Sequence, residues 1–208
     1  VPAMQPALVL LTVKSSSTRA AAAELGRILP AGTPVLSLQN GVIKDDSLRG
    51  VFGDAAVMGG AAYVGSHVAR PGVIRQVGTI QRMVFGEYDG SPSARAQALL
   101  AAALKAGLQA ELSLDIRRTL WEKYAFLVGL SGTTAAMRST IGPVRDHPQT
   151  RAFLFDLMQE AVAVGCALGV NLPENYAQDR LAFADSVPAA MDSSLHNDLK
   201  NGNRLEVE

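Results

Sequence analysis

The strongest constraint on the fold lies near the N-terminus, where two short runs that are apolar on both faces bracket one helical stretch. Residues 7–13 (ALVLLTV) form the first run. Residues 18–29 follow with helical spacing, and Pro30-Ala31-Gly32 stops them. Residues 34–38 (PVLSL) form the second run, which ends in Gln39-Asn40-Gly41. A strand without a polar face must be covered on both sides, as in a parallel sheet flanked by helices. The pattern reads as strand, helix, strand, the opening of an α/β domain.

The same reading continues to about residue 114. Residues 55–64 suit a further strand, and residues 72–77 and 79–85 alternate about Gly78 as an antiparallel pair would. Ser91-Pro92-Ser93 opens a helix over 94–106 that Gly107 closes, and residues 109–114 make a last strand. Beyond Asp115 the pattern is helical only: 116–137, broken by Gly142-Pro143, then 150–168, 174–183 and 193–208. Asn201-Gly202-Asn203 within the last stretch is also compatible with a turn. The fold class expected is therefore an α/β domain followed by an all-α domain, with the division at 114/115. The chain begins at Val1 rather than Met and ends at Glu208 inside a helical pattern without a cap, so it reads as part of a longer polypeptide.

Charge and cysteine content exclude several classes. Lys+Arg and Asp+Glu balance at 19 each, which leaves no electrostatic footprint for nucleic acid or an anionic membrane. The apolar runs are too short, or too interrupted by glycine, to span a bilayer. The single cysteine, Cys166, rules out an intrachain disulfide and fits a reducing compartment such as the cytoplasm. Its small apolar neighbours suggest a buried core thiol. His67, His147 and His196 are scattered, so no metal site is expected, and no Gly-x-Ser-x-Gly elbow supports hydrolase chemistry.

Four ordered stretches resemble the ketopantoate reductases: Val13-Lys14-Ser15 and Gln39-Asn40-Gly41-Val42 after the two apolar runs, Trp121-Glu122-Lys123 in the long helix, and Ser193-Ser194-Leu195-His196-Asn197-Asp198-Leu199 with Asn203-Arg204-Leu205-Glu206 near the end. Singly the first two are weak; the ordered set is specific. The resemblance implies a Rossmann-type NADP-binding domain, here residues 1–114, followed by a helical domain like the C-terminal domain of 6-phosphogluconate dehydrogenase, here 115–208. It implies an active site in the cleft between them. It also implies a G-x-G-x-x-G turn that this sequence does not contain, so weak NADPH binding is expected of these 208 residues alone.

The family reaction reduces a 2-oxo acid to a 2-hydroxy acid with hydride from NADPH, and the developing alkoxide needs a proton. By resemblance Lys123 is the proton donor and also contacts substrate. A general acid works best near the operating pH, so its pKa is expected below the usual value of about 10.4. The resemblance assigns Glu206 to catalysis and to cofactor contact, Lys14 and Gly65 to the cofactor, Asn40 to both cofactor and substrate, and Ser194 and Asp198 to substrate. Each has a plainer reading: a solvated lysine, an Asn-Gly turn, or an aspartate that braces its helix. The preference for NADPH over NADH rests on the resemblance alone. The partner implied is a small-molecule 2-oxo acid, with a homodimer compatible.

Two positions depart from the family pattern. Asparagines four and eight residues after the catalytic lysine are expected to bind substrate, and here those positions hold Leu127 and Ser131. Losing amide donors favours a more apolar 2-oxo acid, unless Thr133 and Thr134 compensate. Arg138 is a candidate carboxylate partner. The alternatives to ketopantoate reduction are thus a related reductase for another 2-oxo acid, or a non-catalytic nucleotide-binding scaffold.

Overall fold

A computed structural model describes residues 5–207 of the chain. They fall into two compact units, divided between Leu120 and Trp121. The first contains β1 (Val9–Leu11), α1 (Thr18–Ile28), β2 (Val35–Ser37), α2 (Lys44–Phe52), β3 (Val57–Arg70), β4 (Val73–Gly86), α3 (Ala94–Lys105) and β5 (Gln109–Leu112). The strands make one sheet in the order β1-β2-β3-β4-β5, with β3 and β4 antiparallel and the other neighbours parallel.

Alternation along the strands sends successive side chains to opposite faces. Leu11, Val35 and Val57 pack with Ala22 of α1 and Leu48 of α2 on one face. Leu36, Met58 and Phe85 pack with Ala96 of α3 on the other. The apolar character of both faces, which pointed to a covered parallel sheet, is accounted for by these two layers. Helix α2 was not evident in the sequence; its segment carries Lys44, Asp45 and Asp46 ahead of a short apolar stripe.

The segment over 72–85 differs from expectation. Residues 73–77 and 79–85 do not pair with each other; they form one strand, β4, paired along its length with β3. Gly78 has φ of 73° and sits where the register slips, with Val64 opposite Gln81 but Gly65 opposite Val77. It is a bulge glycine rather than a turn glycine, and the turn itself is Pro71-Gly72. The outer half of this ribbon is exposed on both sides.

The second unit is helical. It contains α4 (Ile116–Met137) from Trp121 onward, α5 (Ile141–Asp146), α6 (Pro148–Ala167), α7 (Tyr176–Ser186) and α8 (Ser194–Lys200). Glycine on α4 lets α6 approach: a Cβ on Gly129 would lie 2.5 Å from Met158 Cγ. The break after α4 comes earlier than Gly142-Pro143. Arg138 turns left-handed at φ of 49°, and both Gly142 and Pro143 lie inside α5. Gly142 is small because a Cβ there would lie 2.8 Å from that of Ala189. Helix α8 stops at Lys200, and Asn201-Gly202 is a turn, so the helix expected through 208 is not formed. Cys166 is exposed on α6, not buried, because Gly165 beside it takes the inward position against Trp121. Among the described residues no helix is long and apolar enough to cross a membrane.

Candidate functional site

Two candidate residues of the first unit follow the C-terminal ends of parallel strands, the edge at which open α/β sheets bind ligands. Lys14 follows β1 and precedes a short 3-10 turn, Ser15–Ser17; Asn40 follows β2. One side chain joins the two segments. Gln39 Nε2 donates to Val13 O at 2.5 Å and to Thr18 Oγ1 at 2.8 Å, while Ser37 Oγ donates to Gln39 Oε1 at 3.0 Å. Thr18 is buried at the start of α1, so the bridge is anchored at both ends. Lys14 and Asn40 are both exposed, each next to a residue in this bridge. The Asn-Gly turn anticipated at Asn40 is present, with Gly41 at φ of 95°.

Beneath the Asn40 turn lies a buried charged cluster that the sequence reading did not identify. Lys44 Nζ donates to Ser37 O at 2.9 Å and to the Asp45 carboxylate at 3.0 and 3.1 Å. Tyr88 OH donates to Asp45 Oδ2 at 2.6 Å, and the Arg49 guanidinium lies 3.8 Å from the Tyr88 ring centroid. Burial pushes the Lys44 ammonium down from its ordinary pKa, against the pull of Asp45. Burial and the Asp45 carboxylate push the Tyr88 phenol up. The Lys44–Ser37 bond closes the loop that carries Asn40.

Gly65 lies on exposed β3 at the register slip, where a Cβ would come within 2.9 Å of Val77 O. The ladder therefore requires glycine there without any ligand.

In the second unit Lys123 is half-buried on α4, two residues after buried Trp121. Trp121 packs on Gly165 of α6 and edge-on to Tyr124 with centroids 5.5 Å apart. Tyr176 OH donates to Glu122 O at 3.0 Å. Lys123 thus projects from a helix held on both sides of it. Leu127 and Ser131 follow at helical spacing and are half-buried. Thr133 and Thr134 follow on the same helix. Both are fully buried, and their hydroxyls donate to Gly129 O and Leu130 O at 2.7 and 2.6 Å. Arg138 is exposed at the left-handed end of α4.

Ser194 is the first residue of α8 and exposed, and Asp198 lies four residues along the same helix. Ser193, not Ser194, caps this helix: its Oγ accepts from His196 N at 3.0 Å and lies 2.8 Å from Thr134 Oγ1. This pair ties the start of α8 to α4. Asp192 completes the anchor, with Oδ1 at 2.6 Å from His196 Nδ1 and Oδ2 accepting from Lys200 at 2.8 Å. Burial works to raise the Asp192 pKa, but the hydrogen bonds from Lys200, His196 and the Ser193 amide outweigh it and hold it low. Asp198 accepts from Asn203 Nδ2 at 3.0 Å, which braces the turn after α8. Glu206 lies beyond that turn, exposed and outside the helix, so its place is not set by helical periodicity. Among the described residues no group of three or more His, Cys, Asp or Glu side chains is placed to hold a metal.

Residues 2–90 match the sequence model of a family described as ketopantoate reductase PanE/ApbA, and residues 115–208 match that of its C-terminal part. The 2-dehydropantoate 2-reductase of Halobacterium salinarum is 32% identical over 201 residues, which cover 97% of this chain and 65% of that protein. The chain thus spans 65% of that relative's length. The structure is similar to a 2-dehydropantoate 2-reductase from Geobacter metallireducens, with a TM-score of 0.88 and 27% identity over 97% of this chain and 67% of the other. It is also similar to a PanE/ApbA family ketopantoate reductase from Ralstonia eutropha, with a TM-score of 0.84 and 32% identity over 95% and 64% of the two chains. A D-mandelate dehydrogenase shares the fold, with a TM-score of 0.86 at 17% identity over 97% of this chain and 66% of the other.

Proposed function

This chain belongs to the ketopantoate reductase family, and on that premise we propose that the protein reduces a 2-oxo acid to the 2-hydroxy acid with NADPH, 2-dehydropantoate to pantoate being the default reaction. The observation that carries the proposal is that both parts of the family are matched in order, over 2–90 and 115–208.

The segments after β1 and β2 fit a dinucleotide, since they end parallel strands and are bridged by Gln39. Bound NADPH supplies the hydride. Lys14, Asn40, Gly65 and Glu206 are assigned to holding the cofactor, and Asn40, Ser194 and Asp198 to orienting substrate. Lys123 stabilises the developing alkoxide and gives it a proton through Nζ, with Glu206 assisting. Its support is the packing of Trp121 and Tyr176 around that stretch of α4, which suits a precisely held acid.

A second reading concerns substrate. Leu127 offers no hydrogen bond, and the hydroxyls of Thr133 and Thr134 are engaged by their own helix. Both points favour a 2-oxo acid with a less polar side chain than ketopantoate. The test is NADPH and NADH oxidation by the full-length protein with a panel of 2-oxo acids, repeated with Lys123→Ala. Turnover is expected with at least one acid, and loss of the lysine should lower kcat by about 10²–10⁴-fold. If no acid consumes cofactor, the reductase reading fails; if Lys123→Ala keeps full kcat, its role fails.

A further inference from the structure

The start of α8 is tied together more closely than a helix start requires. Of residues 192–196 only Ser194 is exposed, while Ser193 and His196 are 3% and 2% exposed. Ser193 already supplies the cap, accepting from His196 N at 3.0 Å. A second set of bonds is laid over this one. Asp192 Oδ1 accepts from Ser193 N at 2.8 Å and lies 2.6 Å from His196 Nδ1, and Lys200 donates to Oδ2 at 2.8 Å. An ionised carboxylate only accepts, so His196 Nδ1 is the donor in its bond to Asp192.

Hydroxyl groups carry the same structure into α4. Thr134 Oγ1 donates its hydrogen to Leu130 O at 2.6 Å. The 2.8 Å bond between Thr134 and Ser193 is therefore donated by Ser193. The bonds run in one direction, from His196 N to Ser193 Oγ, to Thr134 Oγ1 and to Leu130 O. They end beside Ser131, on the helix that carries Lys123.

The second ring nitrogen shows what histidine contributes here. His196 Nε2 is buried with no hydrogen-bond partner among the described residues. An unpartnered polar atom in the interior costs free energy that a leucine would avoid. Packing alone is thus served better by an apolar side chain. What the imidazole adds is the Nδ1 bond to Asp192, which joins the residue two before Ser194 to the residue two after it. We infer that His196 and Asp192 are positioning residues, which hold Ser194 in a fixed relation to α4 for contact with the 2-oxo acid. The inference rests on the reading of Ser194 as a substrate residue.

The test is calorimetric titration of the full-length protein, saturated with NADP+, with 2-dehydropantoate and with 4-methyl-2-oxopentanoate. The oxidised cofactor allows binding without turnover. His196→Leu should weaken binding about tenfold, with the melting temperature unchanged or raised. His196→Asn, whose amide can donate to Asp192 as Nδ1 does, should restore most of the affinity. Because His196 acts through Ser194, His196→Leu should weaken binding by less than about twofold in protein that already carries Ser194→Ala. Four results overturn the inference: no binding of either acid by the unaltered protein, unchanged affinity in His196→Leu, an equal loss on the Ser194→Ala background, or a loss that His196→Asn fails to restore. NADPH oxidation with the 2-oxo acid panel reports separately on the reductase reading. Binding without oxidation sinks that reading and leaves the positioning role, and oxidation with unchanged binding in His196→Leu does the reverse.

Discussion

Lys44 places an ammonium where it is 6% exposed, and the cost of that burial is offset only by Ser37 O and the Asp45 carboxylate. Removing Lys44 leaves the Asp45 carboxylate buried without its counter-ion, held only by the hydrogen bond from Tyr88 OH. Lys44→Met should therefore destabilise the protein by about 3–5 kcal/mol. Replacing both, as Lys44→Met with Asp45→Asn, should recover part of the loss. Thermal unfolding checks this; a single variant as stable as the original would show that the cluster contributes nothing net. The same bond closes the loop that carries Asn40, so a shift in cofactor KM should accompany any surviving activity of the single variant. Lys44 was illegible in the sequence because a lysine before two aspartates looks like a solvated helix start; its burial against Ser37 O at the end of β2 arises only in the folded chain.

Two close approaches between elements carry further predictions. Glu87, at the end of β4, accepts from Arg95 Nε at 2.7 Å, Arg95 Nη2 at 2.6 Å and Ser93 Oγ at 2.5 Å, which clasps the strand to the start of α3. The Arg95 hydrogen bonds hold the Glu87 carboxyl below its ordinary pKa. A carboxylate whose folded pKa is depressed contributes stability above its unfolded value of about 4.3, and that stability is lost as the pH falls through the folded value. Glu87→Gln should thus lower the melting temperature at pH 7, with the gap to the unaltered protein narrowing at acidic pH. A gap of the same size at low pH would place the effect elsewhere. The second approach is α4 on α6. A Cβ on Gly129 would meet Met158 Cγ at 2.5 Å and Leu154 O at 3.1 Å. Met158 can shift, but the backbone carbonyl cannot shift cheaply, so Gly129→Ala should cost about 1–3 kcal/mol. Urea unfolding measures it, and an unchanged midpoint would mean the helices separate freely.

For the molecule as a whole, formal net charge is zero at pH 7. Without net repulsion, apolar surface governs association. The ribbon exposes Val68 and Ile74, each 67% exposed, side by side on its uncharged face. Light scattering should therefore be highest near neutral pH and fall toward pH 5 or 9, where the chain gains charge. Ile74→Lys should lower the neutral-pH maximum. Scattering that is flat with pH would separate association from net charge.

The order of elements was legible from the chain because its signals are local. Runs apolar on both faces specify covered strands, and helical periodicity specifies the second unit. The motif residues Lys14, Asn40, Lys123 and Ser194 could likewise be named from short stretches and their order. Partners distant in sequence could not be. Gln39 reaching Val13, Tyr88 reaching Asp45, and Thr134 meeting Ser193 depend on which elements pack together. The single strand β4, read locally as two, needed β3 as its template, since a bulge and a turn both present one glycine between alternating residues. Helix α8 ended early because the Asn201-Gly202 turn, and Asn203 bonded back to Asp198, outcompeted one more turn of weak periodicity. Sequence alone determined the succession of an α/β and a helical part, most of their elements, and the family, but not α2, α5 or the continuity of β4. Tertiary structure decided which polar groups were buried, and therefore which charges needed partners, because desolvation depends on neighbours that no local stretch contains.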